Sequence, residues 1–219
     1  MRLIAITTET FFEGEAEAVN LLFDNGLEAL HIRKPYASQH VTAFFIGQIN
    51  KSYYARIVIH DYYELAKRFD LKGIHLNRRN QATFIRALHH TFEEHHFEGD
   101  NPMRSMLQVS RSCHSLEEVS KSNFCDYVFL SPIFDSTSKV GYKQGFTPEQ
   151  LHEAKDRKII DERVMALGGI TTDKIPVVRS YGFGGVAVIG ALWSDFAMNR
   201  NKKELLERFK VLNDKCNSV

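Results

Sequence analysis

The sequence predicts one (β/α)8 barrel over residues 1–219, on three observations. Eight short apolar runs alternate with amphipathic segments along the whole chain. Glycine or asparagine repeatedly separates a helical pattern from the next apolar run. The length suits one domain of this kind. An open doubly wound sheet shares the alternation, and the count of eight favours closure.

The expected strands are 3–7, 29–32, 56–59, 73–76, 106–110, 127–130, 164–166 and 185–188. Each is short, as in a barrel whose strands meet side chains inside and helices outside. The expected helices are 15–24, 41–50, 62–69, 82–89, 115–121, 148–154, 172–181 and 203–212. The first shows the pattern well: Ala16, Val19, Leu22 and Phe23 form a stripe at helical spacing. Ser115-Leu116-Glu117-Glu118 reads as a capping box, and Thr171 or Thr172 as the cap of the seventh helix. Asn25-Gly26, Gly73 and Gly182-Phe183-Gly184-Gly185 lead into strands two, four and eight. Only 91–102 breaks the rhythm. Its His95 and His96, with His89 and His90 just before, lack metal-site spacing and read as a solvated surface.

Bulk properties narrow the ligand. The net charge is +1, from 28 basic and 27 acidic residues, so no global field recruits nucleic acid or membrane. The expected partner is a small phosphorylated molecule; self-association is left open. The N-terminal apolar run is too short for a signal peptide and no stretch reaches membrane-spanning length, which predicts a cytoplasmic protein. Cys113, Cys125 and Cys216 form no CxxC motif and read as free thiols.

Barrel chemistry sits at the C-terminal ends of the strands. There the sequence places His31, Arg33 and Lys34; His60 and Asp61; Asn77 to Asn80; Ser110, Ser112 and His114; Ser131 and the loop Asp135-Ser136-Thr137-Ser138-Lys139; Gly168-Gly169; and Val188-Ile189-Gly190. This rim is cationic although the chain is nearly neutral, which suits an anionic ligand. Gly168 and Gly169 offer backbone amides without side chains, and Gly190 can open a short helix aimed at a phosphate. Phosphate sites in barrels recur at these two loops. The hydroxyls and ammonium of 135–139 can wrap further oxyanions.

Several motifs resemble the thiamine phosphate synthase and thiazole tautomerase family over nearly the whole chain. They are His31-Ile32-Arg33-Lys34, Ile59-His60-Asp61, Gly73-Ile74-His75-Leu76, Ser112-Cys113-His114-Ser115, the run DYVFLSPIF from Asp126, ALGGI from Ala166 and GVAVIGA from Gly185. The resemblance implies a synthase that joins hydroxymethylpyrimidine pyrophosphate to thiazole phosphate and releases pyrophosphate. It implies roles for Arg33 and Lys139 on pyrophosphate, Ser112 on the leaving group, and Ser136 and Ser138 on phosphate or pyrophosphate. It places Asp61 and Asn80 on Mg2+, and the backbone of Gly168, Gly169, Val188, Ile189 and Gly190 in a phosphate cup. His31, Lys34 and His60 are expected to touch substrate.

This chain departs from the family pattern in the pyrophosphate and metal half. His31 stands for Gln, Pro35 for a basic residue that Lys34 would replace from one position earlier, His60 for Asn and Asn80 for a second metal-binding Asp. An amide oxygen can ligate Mg2+ but removes a charge from the site. The departures keep two rivals in view. One is a thiazole tautomerase working without metal, with His114 as acid and base. The other is a non-catalytic thiazole phosphate-binding barrel.

Overall fold

The computed structural model describes residues 1–77, 107–135 and 144–218. The chain forms the expected barrel. Its strands are β1 (Arg2–Ile6), β2 (Ala29–Ile32), β3 (Ile57–Ile59), β4 (Gly73–Leu76), β5 (Gln108–Cys113), β6 (Tyr127–Leu130), β7 (Val164–Leu167) and β8 (Gly185–Val188). All neighbours pair in parallel, and β8 pairs with β1 to close the ring.

The described helices are α1 (Glu15–Asp24), α2 (Gln39–Gln48), α3 (Glu64–Arg68), α4 (Leu116–Ser120), α5 (Pro148–Asp156), α6 (Ile175–Ser180), α7 (Gly190–Trp193), α8 (Phe196–Asn199) and α9 (Lys202–Asn217). The expected helix at 82–89 and the histidine-rich stretch at 91–102 lie outside the described residues. Among the described residues no helix is long and apolar enough to cross a membrane.

Local chemistry moved several boundaries. Helix α2 starts two residues early because the Ser38 hydroxyl accepts from the Val41 amide. The segment 172–181 splits into a 3-10 turn, Thr172–Lys174, and α6, since Pro176 cannot donate in a continuous helix. Thr171 caps that turn without a side-chain hydrogen bond. Ser115 caps α4, but the Glu118 carboxylate accepts from the His114 amide, one residue before the position a capping box requires. The complete capping box lies at Thr147 and Gln150.

The largest correction is β5. Ser110, expected as the last residue of the strand, lies in its middle, and Ser112, expected beyond it, belongs to the strand, which runs on to Cys113. Polar residues read as a strand end, yet here they face a polar interior. Successive side chains alternate between the interior and the helix layer. The helix-side core holds Leu3, Ala5, Leu30, Ile32, Val128 and Leu130. The smaller inner cluster holds Ile4, Ile6, Tyr127, Phe129, Met165 and Ala187. The inward positions of β2, β4 and β5 instead carry His31, His75 and Ser110, all fully buried. The three cysteines are buried free thiols.

Candidate active site at the barrel mouth

The polar half of the interior is one connected network. Tyr127 Oη lies 2.6 Å from His31 Nε2, and His31 Nδ1 lies 3.0 Å from His60 Nε2. The His60 ring stacks on His75, with centroids 4.1 Å apart. His75 Nδ1 meets Ser110 Oγ and its Nε2 meets Ser112 Oγ, both at 2.9 Å. Burial, with Arg33 and Arg111 nearby, pushes the His75 pKa down to about 3. Burial likewise holds His31 well below the usual imidazole range. Both rings are therefore neutral at physiological pH, each with one donor and one acceptor nitrogen. Burial raises the Tyr127 phenol, which stays protonated.

Above this network stand the strand ends. Arg33 follows β2; its amide donates to Thr7 Oγ1 and its guanidinium reaches Glu9 Oε1 at 2.8 Å. Asp61, after β3, is half-buried. The Asn77 amide group, after β4, donates to the His60 carbonyl at 3.0 Å and fixes the β3 end. His114, after β5, is exposed, and its Nδ1 is 3.0 Å from the Ser131 carbonyl. A carbonyl only accepts, so Nδ1 carries a proton, and no hydrogen bond to Nε2 comes from the described residues.

Lys34 does something other than expected. Its side chain is 1% exposed, and Nζ meets Glu15 Oε1 at 2.6 Å, Glu15 Oε2 at 2.7 Å and the Thr10 carbonyl at 2.9 Å. These contacts use all three ammonium donors. Lys34 therefore ties the β2 end to the first residue of α1 and offers nothing to a substrate. His31 is also no rim residue: it lies inside the barrel with both ring nitrogens engaged.

Across the mouth, the loop after β6 zips onto the end of β7. The Ile133 amide donates to the Leu167 carbonyl and the Phe134 amide to the Gly168 carbonyl. Gly168 and Gly169 have φ of 98° and 62°. A Cβ at Gly168 would sit 2.9 Å from Pro132 Cα, and one at Gly169 only 2.2 Å from the Asp135 carbonyl oxygen. The glycines were expected for ligand access; close packing against 132–135 already demands them. Lys174, half-buried, holds this turn from outside by donating to the Gly169 carbonyl at 3.1 Å.

Beside it, Ile189 caps α7, whose first amides, Gly190 and Ala191, have no intrahelical acceptor. The buried Trp193 indole donates to the Ile6 carbonyl at 2.9 Å and pins α7 to the end of β1. Val188 is buried in the helix-side core, so only its backbone can belong to a phosphate cup. Asn80, Ser136, Ser138 and Lys139 lie outside the described residues.

Sequence reasoning gave no role to the His75 or Tyr127 side chains, to Glu15 or to Lys174. His75 and Tyr127 had a readable signal: polar residues at the inward parity of strands that are otherwise apolar. Glu15 and Lys174 had none, because their partners are set by packing.

The thiamine monophosphate synthase family model matches residues 3–192. A crystal structure of thiamine phosphate pyrophosphorylase from Bacteroides thetaiotaomicron is 38% identical, with TM-score 0.81, covering 99% of this chain and 98% of that one. Thiamine-phosphate synthase from Serratia proteamaculans is 28% identical over 184 residues, 80% of this chain and 79% of that protein. A thiamine phosphate pyrophosphorylase from Pyrococcus furiosus, 22% identical with TM-score 0.67 over 98% of this chain and 96% of that one, shares the fold.

Proposed function

Because the chain belongs to the thiamine monophosphate synthase family, we propose that it joins hydroxymethylpyrimidine pyrophosphate to thiazole phosphate and releases pyrophosphate. The observation that carries this reading is the layout of the mouth. Arg33, Asp61 and Ser112 rise from β2, β3 and β5, while the glycine turn and the start of α7 lie on the opposite side, after β7 and β8. Two anionic groups can thus be held apart with a polar wall between them.

The family reaction breaks a C–O bond to give a pyrimidinylmethyl cation, which the thiazole nitrogen attacks. Charge builds on the departing pyrophosphate, and preorganised donors stabilise it. Arg33 supplies a permanent cation there. Ser112 supplies a hydroxyl whose direction the neutral His75 sets. Ser110 Oγ donates to the Ile74 carbonyl at 3.3 Å and also meets His75 Nδ1, while His75 Nε2 holds Ser112 Oγ at 2.9 Å, so the hydroxyl is positioned at the mouth for the leaving group. The cup amides hold the thiazole phosphate.

Asp61 suits Mg2+: it is a half-buried carboxylate at the mouth, and Asn80 would add a second oxygen donor. Mg2+ commonly takes one or two protein carboxylates and completes its shell with substrate phosphates and water. When bound it would neutralise part of the pyrophosphate charge.

The test is Asp61→Ala assayed for pyrophosphate release with both substrates, with and without Mg2+. Near-complete loss of Mg2+-dependent release is expected; unchanged release sinks the reading. The exposed His114 ring at the mouth, oriented through Nδ1 by the Ser131 carbonyl, favours thiazole tautomerase as the second reading. In that case thiazole phosphate carboxylate turns over without metal. Binding of thiazole phosphate with turnover of neither substrate set would leave a non-catalytic barrel.

A further inference from the structure

We propose that His31, His60 and His75 form a binding site for a borderline transition-metal ion of the zinc type, chemically distinct from the oxygen donors at Asp61. Three adjacent strand ends bring them together: His31 inside β2, His60 directly after β3, His75 inside β4. All three are buried, and one ligand nitrogen from each lies within 4.8 Å of the others. His31 Nδ1 and His60 Nε2 are already 3.0 Å apart. Tetrahedral zinc with Zn–N bonds of about 2.0–2.1 Å needs nitrogens roughly 3.3 Å apart. The His75 ring, stacked on His60, must therefore rotate to bring one nitrogen toward the pair.

Metal binding would exchange hydrogen bonds of the network for metal–nitrogen bonds. His75 is bonded at both nitrogens to serine hydroxyls. It can release one to a metal and keep the other. His31 keeps Tyr127 on Nε2 while Nδ1 turns to the ion. A ligating histidine normally has its second nitrogen held in this way, which fixes the tautomer and the ring plane. The donor set then decides the ion. Three neutral imidazoles suit Zn2+, Co2+, Ni2+ or Cu2+, whereas Mg2+ takes oxygen. The half-buried Ser112 hydroxyl, 2.9 Å from His75 Nε2, is an oxygen donor at the edge of the cluster, and a water would complete the shell. The three imidazoles would bind such an ion whichever reaction the mouth performs.

The probe is Co2+ added to chelator-treated protein, read by visible absorption and equilibrium dialysis in excess Mg2+. One Co2+ per chain, with bands of a four- or five-coordinate nitrogen site and displacement by one Zn2+, is expected. His31→Gln and His75→Asn retain size and hydrogen bonding and should each weaken binding at least tenfold, with unchanged circular dichroism. If one of them fails to fold, the other and His60→Asn decide. Replacing His89, His90, His95 and His96 by Asn should leave the bands intact. Absence of bands in the native chain would overturn the proposal. So would binding that survives both interior variants, or that is lost with the four histidines of 89–96.

Discussion

Replacing Lys34 separates two accounts of the same residue. The sequence suggests a pyrophosphate ligand; the structure shows a buried tie to Glu15. Lys34→Met strips the Glu15 carboxylate, itself 1% exposed, of two charge-assisted hydrogen bonds. Leaving one member of a buried pair costs about 3–5 kcal/mol. With a urea slope of about 2–3 kcal/mol/M, the midpoint should fall by about 1–2 M. Burial is the largest influence on both groups, raising the Glu15 pKa and lowering that of Lys34. A raised carboxylate contributes stability only at acid pH, below its unfolded value, and loses it as pH rises through the folded value. A lowered ammonium contributes only at alkaline pH, above its unfolded value. Desolvation therefore works against the pair at neutral pH. The double variant Glu15→Leu/Lys34→Met removes both charges and should unfold near or above the native midpoint, as buried pairs replaced by apolar residues often do. Its kcat/KM should stay within about threefold of the native value. The reasoning is refuted if the single variant is as stable as the native chain, or if the stable double variant loses tenfold or more in kcat/KM.

Other substitutions probe the rest of the site. Ser112→Ala removes one hydrogen bond to a developing charge, about 1.5–3 kcal/mol, so kcat/KM for pyrophosphate release should fall roughly 10- to 150-fold; it also strips His75 Nε2 of its partner, so the melting temperature should drop by a few degrees. Gly169→Ala places a Cβ 2.2 Å from the Asp135 carbonyl oxygen at a φ of 62°; about 3 kcal/mol of strain and overpacking should lower the melting temperature by roughly 6–12 °C in calorimetry. His114→Ala should leave Mg2+-dependent pyrophosphate release within about threefold while stopping any tautomerisation, measured by loss of thiazole phosphate carboxylate turnover.

The barrel was legible because its periodicity is local. Eight apolar runs could be placed by eye, and all eight strands are found within a few residues of them. Glycine positions were legible too, but for an incomplete reason: Gly168 and Gly169 answer first to the backbone of 132–135, a contact more than thirty residues away in sequence. The end of β5 was placed too early, at Ser110, because a polar residue ends an apolar run on paper, whereas a strand continues wherever its ladder does. Ser110 in fact sits opposite His75 in the β4–β5 register. The Lys34–Glu15 pair was illegible: a lysine beside an arginine at a strand end looks like a ligand until packing shows where its ammonium goes.

That packing also divides labour inside the barrel. The inward residues of β1, β7 and β8, with Phe129 of β6, are apolar and hold one side closed. Ala29 at the start of β2 joins them, whereas His31, His75 and Ser110 of β2, β4 and β5 are polar: His31 bonds Tyr127, and His75 bonds Ser110 and Ser112. Phe129 lies on the seam, its ring 4.7 Å from His31 and 4.9 Å from His75. An interior network of this kind is costly unless its members are satisfied, and when they are it fixes side-chain orientation tightly. The positions of Ser112 and His60 at the mouth are thus set from below, by residues that touch no substrate. Mutations at Tyr127 or Ser110 should then act on reaction geometry through that lattice, while the glycine turn across the mouth, built on β6 and β7, keeps its shape independently.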